Sequence, residues 1–369
     1  MEKSFLKNLK IGVDFLHKVL YNNSVLKKQE NPYKDRNERL YALMGKKKLY
    51  MVLDTETATL PFVKDFDEST RKDIAIAKPL VYDLGWTIVD RKGNVYDKRN
   101  YLIQETFFVP NIFNTAYYKD KRPKYMELLA QGKIETKCWN DAMTEMIKAM
   151  RDCYAVCAYN AAFDFKKAIP FTEKYIKALY SSDYNKWEQG QKWHIQKIAN
   201  GERKSGTNPC YLKPVFEIRG EQFPIVDLWA LACDFDRKLI NIDKYRKFCL
   251  EREYWTASCI YFKTSAETAF QYLMNKYDFI EAHTALDDAE IESQILVKAL
   301  SKGKVDPVMG AFPFRDLGTT VDFITAHNDG KSAESLYNAL EAYYKGIKQG
   351  TPYAGKIYSM LEKLSNCLY

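Results

Sequence analysis

The apolar residues of this chain change their spacing several times, and each change marks an element. Phe5, Leu6 and Leu9, then Val13, Leu16 and Leu20, recur at helical intervals, so residues 1–48 read as a basic, helical N-terminal extension. A polar stretch over 24–40 interrupts it, with a break at Asn31-Pro32. Leu49-Tyr50-Met51-Val52-Leu53 is a short, bounded apolar run of the kind that forms a buried strand. Leu84, Trp86 and Ile88 alternate with Gly85 and Thr87. The turn residues Asp90-Arg91-Lys92-Gly93-Asn94 follow, and Tyr101-Leu102-Ile103 returns, giving two more strands within 79–104.

Helical patterns cover roughly 111–131 and 139–151. The run 156–160 predicts a fourth strand, and 163–179 a helix. Segment 183–220 is polar with few periodic apolar residues and reads as an insertion or a hairpin. Residues 224–229 predict a fifth strand running into a helix, 265–275 a helix capped by Ser265, and 283–300 a long helix with its entry loop. Past 301 a loop leads to two helical patterns, one holding Leu336, Leu340 and Tyr343, the other Ile357, Met360, Leu361 and Leu364. Antiparallel strands first, then strands alternating with helices, predict an α/β domain over 49–300, with a five-stranded sheet flanked by helices. Helical extensions flank it at 1–48 and 301–369.

Composition narrows the function classes. The 369 residues are 46% hydrophobic and 28% charged, enough for one large domain with extensions. No run of eighteen apolar residues occurs, so no membrane span is expected. The first residues lack an apolar signal core, so a cytoplasmic location is expected. A net charge of +8 is compatible with a polyanionic partner without demanding one. Eight cysteines without CxxC pairs read as reduced thiols, and four histidines offer no zinc-site spacing.

Three short stretches carry chemistry. In Asp54-Thr55-Glu56, two carboxylates two residues apart at a strand end share one side of the backbone and can hold divalent ions; a solvated strand end is the ordinary alternative. In Tyr159-Asn160-Ala161-Ala162-Phe163-Asp164, the aspartate opens a helix, where it can cap amides or face a metal across the sheet end. In His283-Thr284-Ala285-Leu286-Asp287-Asp288, the two aspartates differ by about 100° around a helix, so they compete for one position. His283 is best placed on the entry loop, free to reach over the same site. Taken together these residues match the needs of two-ion phosphodiester hydrolysis: clustered carboxylates, and one group of near-neutral pKa to take a proton from water.

These segments, Leu53-Asp54-Thr55-Glu56-Thr57, Ala158 to Asp164 and His283 to Ala289, resemble the three motifs of the DEDDh 3′→5′ exonucleases, a branch of the RNase H-like superfamily. Ile225-Val226-Asp227-Leu228 resembles the family's strand before the third motif. The resemblance covers roughly 49–300 and implies an RNase H-like mixed sheet. It implies Asp54, Glu56, Asp164 and Asp288 as ligands of two Mg²⁺ or Mn²⁺ ions, and His283 as general base. The family's histidine stands five positions before its last aspartate, which selects Asp288 over Asp287. Thr284 stands where the related tyrosine subclass would carry Tyr. The long stretches 57–78 and 165–282 depart from the family and leave the polymer open.

The implied partner is nucleic acid, single-stranded DNA or 3′ ends, with RNA trimming as the close alternative. A protein-interaction role through the terminal extensions is an alternative of another class. Thr55, Thr57, Asn160 and Phe163 would line the substrate path, although Phe163 also suits the core. Tyr117, Tyr118, Lys121, Arg122 and Lys124 interleave aromatic and cationic groups as single strands require. Lys186-Trp187, Lys192-Trp193-His194 and Arg203-Lys204 do so more loosely, and Lys46-Lys47-Lys48 stands just before the first strand.

Overall fold

The apolar run at Leu49 continues well past Leu53: β1 spans Leu49–Ala58 and carries Asp54 and Glu56 inside the strand rather than beyond it. The protein is described here by a computed structural model covering residues 48–63, 66–201, 213–233, 239–310, 317–327, 329–347 and 349–368. The helical reading of 1–48 therefore lies, apart from Lys48, outside the described residues.

β2 (Leu80–Asp90) and β3 (Val95–Ile103) complete an antiparallel meander with β1. β4 (Glu135–Lys137) lies parallel to β3 at one edge, while β5 (Ala155–Ala158) runs parallel to β1. β6 (Val215–Ile218) and β7 (Glu221–Asp227) form a hairpin, and β7 pairs with β5 in parallel. The order is β4-β3-β2-β1-β5-β7-β6, a mixed sheet of seven strands.

The expectation of five strands is thus corrected to seven. β4 is three polar residues with no apolar run to announce it. β6 sits in the polar stretch 183–220 and is fixed by its two-residue turn, where Arg219 (φ 49°) and Gly220 (φ 82°) both take left-handed backbone. Among the described residues of that stretch, the helix Tyr184–Ala199 buries Ile195 and Ile198 and packs Tyr184 and Trp187 on the core. The helix expected over 111–131 is broken. Short helical turns at Pro110–Phe113 and Lys119–Lys121 precede a helix at Arg122–Ala130.

Helices cover both faces. In chain order they are α1 (Glu68–Ala77), α2 (Arg122–Ala130), α3 (Trp139–Arg151), α4 (Ile169–Leu179), α5 (Tyr184–Ala199), α6 (Leu228–Ala232), α7 (Ile242–Glu251), α8 (Ala266–Met274) and α9 (Ala285–Lys302). After them come α10 (Thr320–His327), α11 (Gly330–Gly346) and α12 (Pro352–Ser365). Met51 and Leu53 point into one core with α3 and α4, while Tyr50 and Val52 point into a second core with Ala289, Ile295 and Leu296 of α9. This period-two division puts Asp54 and Glu56 on the α9 face. All eleven residues of β2 are buried, since helices pack on both its faces.

A third core joins α10, α11 and α12 to Cys259 and Ile260. Val308 pairs with Val226 of β7, so the chain beyond residue 301 also contacts the sheet. No helix among the described residues is long and apolar enough to cross a membrane.

Candidate metal centre

The site is built where the start of α9 meets the middle of β1 and β2. Gly85 pairs with Asp54 in the β1–β2 register, and α9 lies so close there that a Cβ on Gly85 would stand 2.3 Å from the Leu286 amide nitrogen. Only glycine permits that approach. Two residues away, fully buried Asp83 accepts the Ala285 amide (2.9 Å), the Tyr125 hydroxyl (3.0 Å) and the Asn100 side-chain amide. Burial pushes its carboxyl up to about 6, although the three donors oppose the shift. Asp83 is a positioning residue, anchoring the first turn of α9 to β2; its isolated place in an apolar strand was the sequence signal that could have found it.

Thr284 caps α9 by accepting the Asp287 amide (3.4 Å) and donating its hydroxyl to the Asp287 carboxylate (2.7 Å). Asp287 is therefore engaged at the exposed rim, where Lys124 approaches to 3.8 Å. Asp288, one residue on, is buried and faces β1. Ligand atoms of Glu56, His283 and Asp288 all lie within 4.8 Å of one another. Asp54 stands outside that three-residue grouping; burial first, then the neighbouring carboxylates of Glu292, Asp164, Asp288 and Glu56, raise its carboxyl well above the usual range.

Asp164 opens a π-helical turn, Asp164–Ala168, a backbone irregularity often found at functional sites. Its carboxylate accepts the Thr55 hydroxyl at 2.6 Å, and burial brings it up to about 7 despite that bond. Asn160, at the turn before it, adopts left-handed backbone (φ 58°) and is exposed. Phe163 is partly buried against the core, and Thr57 follows an irregularity in the β1–β2 pairing.

Besides Asp83, two carboxylates were absent from the sequence expectation. Glu292, one turn after Asp288 on α9, is buried and accepts the Tyr159 amide at 3.1 Å; burial, then Asp164 and Asp288, raise it well above the usual range. Its spacing of four from Asp288 was the available signal. Glu281 stands 3.7 Å from His283 Nδ1 and is pushed up to about 7, first by burial and then by Glu267.

His283 occupies left-handed backbone (φ 52°), a conformation costing about 1–2 kcal/mol for a non-glycine residue. The segment 117–125 holds it there. Tyr125 donates to the His283 carbonyl (3.3 Å), while Lys121 and Lys124 donate to the Ala282 carbonyl at 2.7 and 3.3 Å. The Tyr118 ring stacks on the imidazole. His283 Nδ1 lies 3.8 Å from Asp288 Oδ2, and burial, with Lys121 next, lowers the imidazole's affinity for a proton. Tyr118, Lys121 and Lys124 thus brace the histidine loop as well as flanking the site. Arg122 stacks over Phe107 and Phe113, and Tyr117 is 75% exposed at the rim.

The donor set suits a divalent cation. Asp54, Glu56, Asp164, Asp288 and Glu292 offer hard oxygen and His283 a single nitrogen, the preference of Mg²⁺ and Mn²⁺. Asp288 Oδ1 is buried and has no hydrogen-bond partner, an arrangement that costs about 1–3 kcal/mol unless a ligand takes the lone pairs. Among the described residues, His283 is the sole basic side chain within ion-pair distance of Asp288. In sequence comparisons, no known protein family and no curated protein matches the chain.

Proposed function

We propose that the protein is a metal-dependent 3′→5′ exonuclease of the DEDDh type, built on an RNase H-like domain and acting on single-stranded DNA or 3′ ends. The observation that carries this reading is the grouping of Glu56, His283 and Asp288 within 4.8 Å of one another at the unpartnered Asp288 Oδ1, with Asp164 bonded to Thr55, the residue between Asp54 and Glu56. The antiparallel meander β1–β2–β3, extended by parallel β5 and β7, accords with an RNase H-like sheet.

Two divalent cations held by Asp54, Glu56, Asp164 and Asp288 would supply an acidified water and charge neutralisation at the leaving 3′ oxygen. The protein's own residues do the rest. Thr55 orients Asp164 by its hydroxyl. Asp83 and Thr284 fix the start of α9, and so the direction of Asp288. His283, kept neutral by burial and nearby lysines, takes a proton from the attacking water at the ring nitrogen facing the cluster. Lys121 and Lys124 put positive charge at the rim, and exposed Tyr117 offers a face on which a base can stack. The product is a nucleoside 5′-monophosphate.

The test is to incubate the chain with 5′-labelled single-stranded DNA, duplex DNA and RNA in Mg²⁺ or Mn²⁺, beside Asp54→Ala. Stepwise shortening from the 3′ end that Asp54→Ala abolishes supports the reading. No shortening of any substrate, or equal activity in the variant, sinks it. Preferential shortening of RNA would move the substrate to the trimming class.

A further inference from the structure

At the end of β1 away from the carboxylates lies a cavity of about 390 Å³, lined by Lys48, Tyr50, Asp90, Arg91, Lys92, Leu300, Gly303 and Lys304. The volume falls within the ~300–1,000 Å³ typical of small-molecule sites. Lys48 immediately precedes β1, Arg91 and Lys92 come from the β2–β3 turn, and Lys304 follows α9. Three separate segments thus bring four cations to one hollow.

Four cations against a single acid, Asp90, leave the lining with a positive balance. Asp90 is 1% exposed, and its carboxylate accepts the Lys92 and Asn94 amides, the Asn94 side chain and the Tyr96 hydroxyl. It is spent on shaping the turn. Lys304 pairs with Asp306 at 2.8 Å. Among the described residues no carboxylate pairs with Lys48, Arg91 or Lys92. Lys48 is instead held over the Tyr154 ring, 3.8 Å from its centroid, which fixes the ammonium beside the cavity. Excess cationic charge around a concave, partly apolar floor of Tyr50 and Leu300 is the complement of a phosphate-bearing ligand.

We infer that this cavity is a second, phosphate-recognising site, separate from the carboxylate cluster, which takes a nucleotide or the phosphate backbone of a nucleic-acid strand. From Lys48 to Asp54 is six residues of extended chain, about 20 Å. One small ligand cannot touch both sites. The inference does not depend on the exonuclease reading.

Calorimetric titration of the full chain in EDTA tests it, because without divalent ions the carboxylate cluster repels anions. The probes are inorganic phosphate, pyrophosphate, dAMP and a twelve-nucleotide oligothymidylate. The expected result is saturable one-to-one binding of at least one probe, weakened about tenfold or more in Arg91→Ala/Lys92→Ala and in Lys304→Ala. A control that removes the same charge elsewhere, Lys244→Ala/Lys247→Ala on the exposed side of α7, should stay within about twofold. Tightest binding of dAMP would identify a free nucleotide; binding of the oligonucleotide alone would identify a strand backbone. Absence of saturable binding for all four probes overturns the inference. So does equal weakening by the control pair, which would mean general surface charge.

Discussion

The imidazole of His283 lies flat against the ring of Tyr118, with centroids 4.3 Å apart and 16° between the planes. The hydroxyl of Tyr118 is 3.4 Å from Nε2, too long for a strong hydrogen bond, so the contact is mainly one of faces. If the stack orients the base, Tyr118→Ala should lower kcat by about 10- to 100-fold with little change in KM. Tyr118→Phe, which keeps the face, should remain within about threefold of wild type. Equal losses in the two variants would mean that the hydroxyl, not the stack, matters.

Removing a cluster carboxylate should separate metal binding from folding. Asp288→Asn keeps the shape of the side chain but loses its charge. Activity is expected to fall by about a thousandfold or more. Mn²⁺ should raise the melting temperature of the wild type and leave that of Asp288→Asn unchanged. An equal Mn²⁺ shift in both would place the ion elsewhere.

The cluster also sets a pH dependence for the metal-free protein. Asp288 is held near 8 and Asp164 near 7, above the ordinary value near 4 of an unfolded chain. Each group's contribution to stability is fully present below about pH 4 and is lost as pH rises through these folded values. Melting temperature in EDTA should therefore decline between about pH 5 and 8. Mg²⁺ or Mn²⁺ should restore more stability at pH 8 than at pH 5, because cations then stand in for the lost protons. A metal effect larger at pH 5 would contradict this assignment.

Glu292→Gln removes a carboxyl whose ionisation burial opposes, while keeping an acceptor for the Tyr159 amide. At pH 8 without metal the variant should melt higher than wild type, and it should need more Mn²⁺ for half-maximal stabilisation. A lower melting temperature with unchanged Mn²⁺ demand would make Glu292 a purely structural acceptor.

Gly85→Ala forces a methyl group into the backbone of Leu286. Overpacking of this kind costs about 1–3 kcal/mol or more, and here it pushes away the turn that carries Asp288. Denaturant unfolding should show the loss, and Mn²⁺ stabilisation should fall with it. Full retention of both would mean that α9 can shift without cost.

The sequence carried most of the elements because local patterns suffice for them. Strand β1, the β2–β3 meander, α3 and the Ser265 cap all follow from periodicity and turn residues. Two edge strands escaped because β4 is polar and β6 depends on its partner β7 rather than on its own apolar content. At the candidate site, Asp54, Glu56, Asp164, His283 and Asp288 were legible as motif residues. Asp83 and Glu292 were not, since a carboxylate in an apolar strand or on a helix acquires meaning only from what packs against it. Tyr118, Lys121 and Lys124 were legible as a cation–aromatic run, but their bracing of the His283 loop is tertiary, across more than 150 residues.

The anchor between Asp83 and Ala285 spans 202 positions of chain. During synthesis, Asp54, Glu56 and Asp164 emerge long before the turn that holds His283 and Asp288. Until α9 arrives, Asp83 lacks its Ala285 amide donor and the cluster lacks His283, Asp288 and Glu292. On the nuclease reading proposed above, a protein assembled in this order would be inert as a nascent chain, and would gain the means to bind ions only once the last third of the chain has folded onto the first.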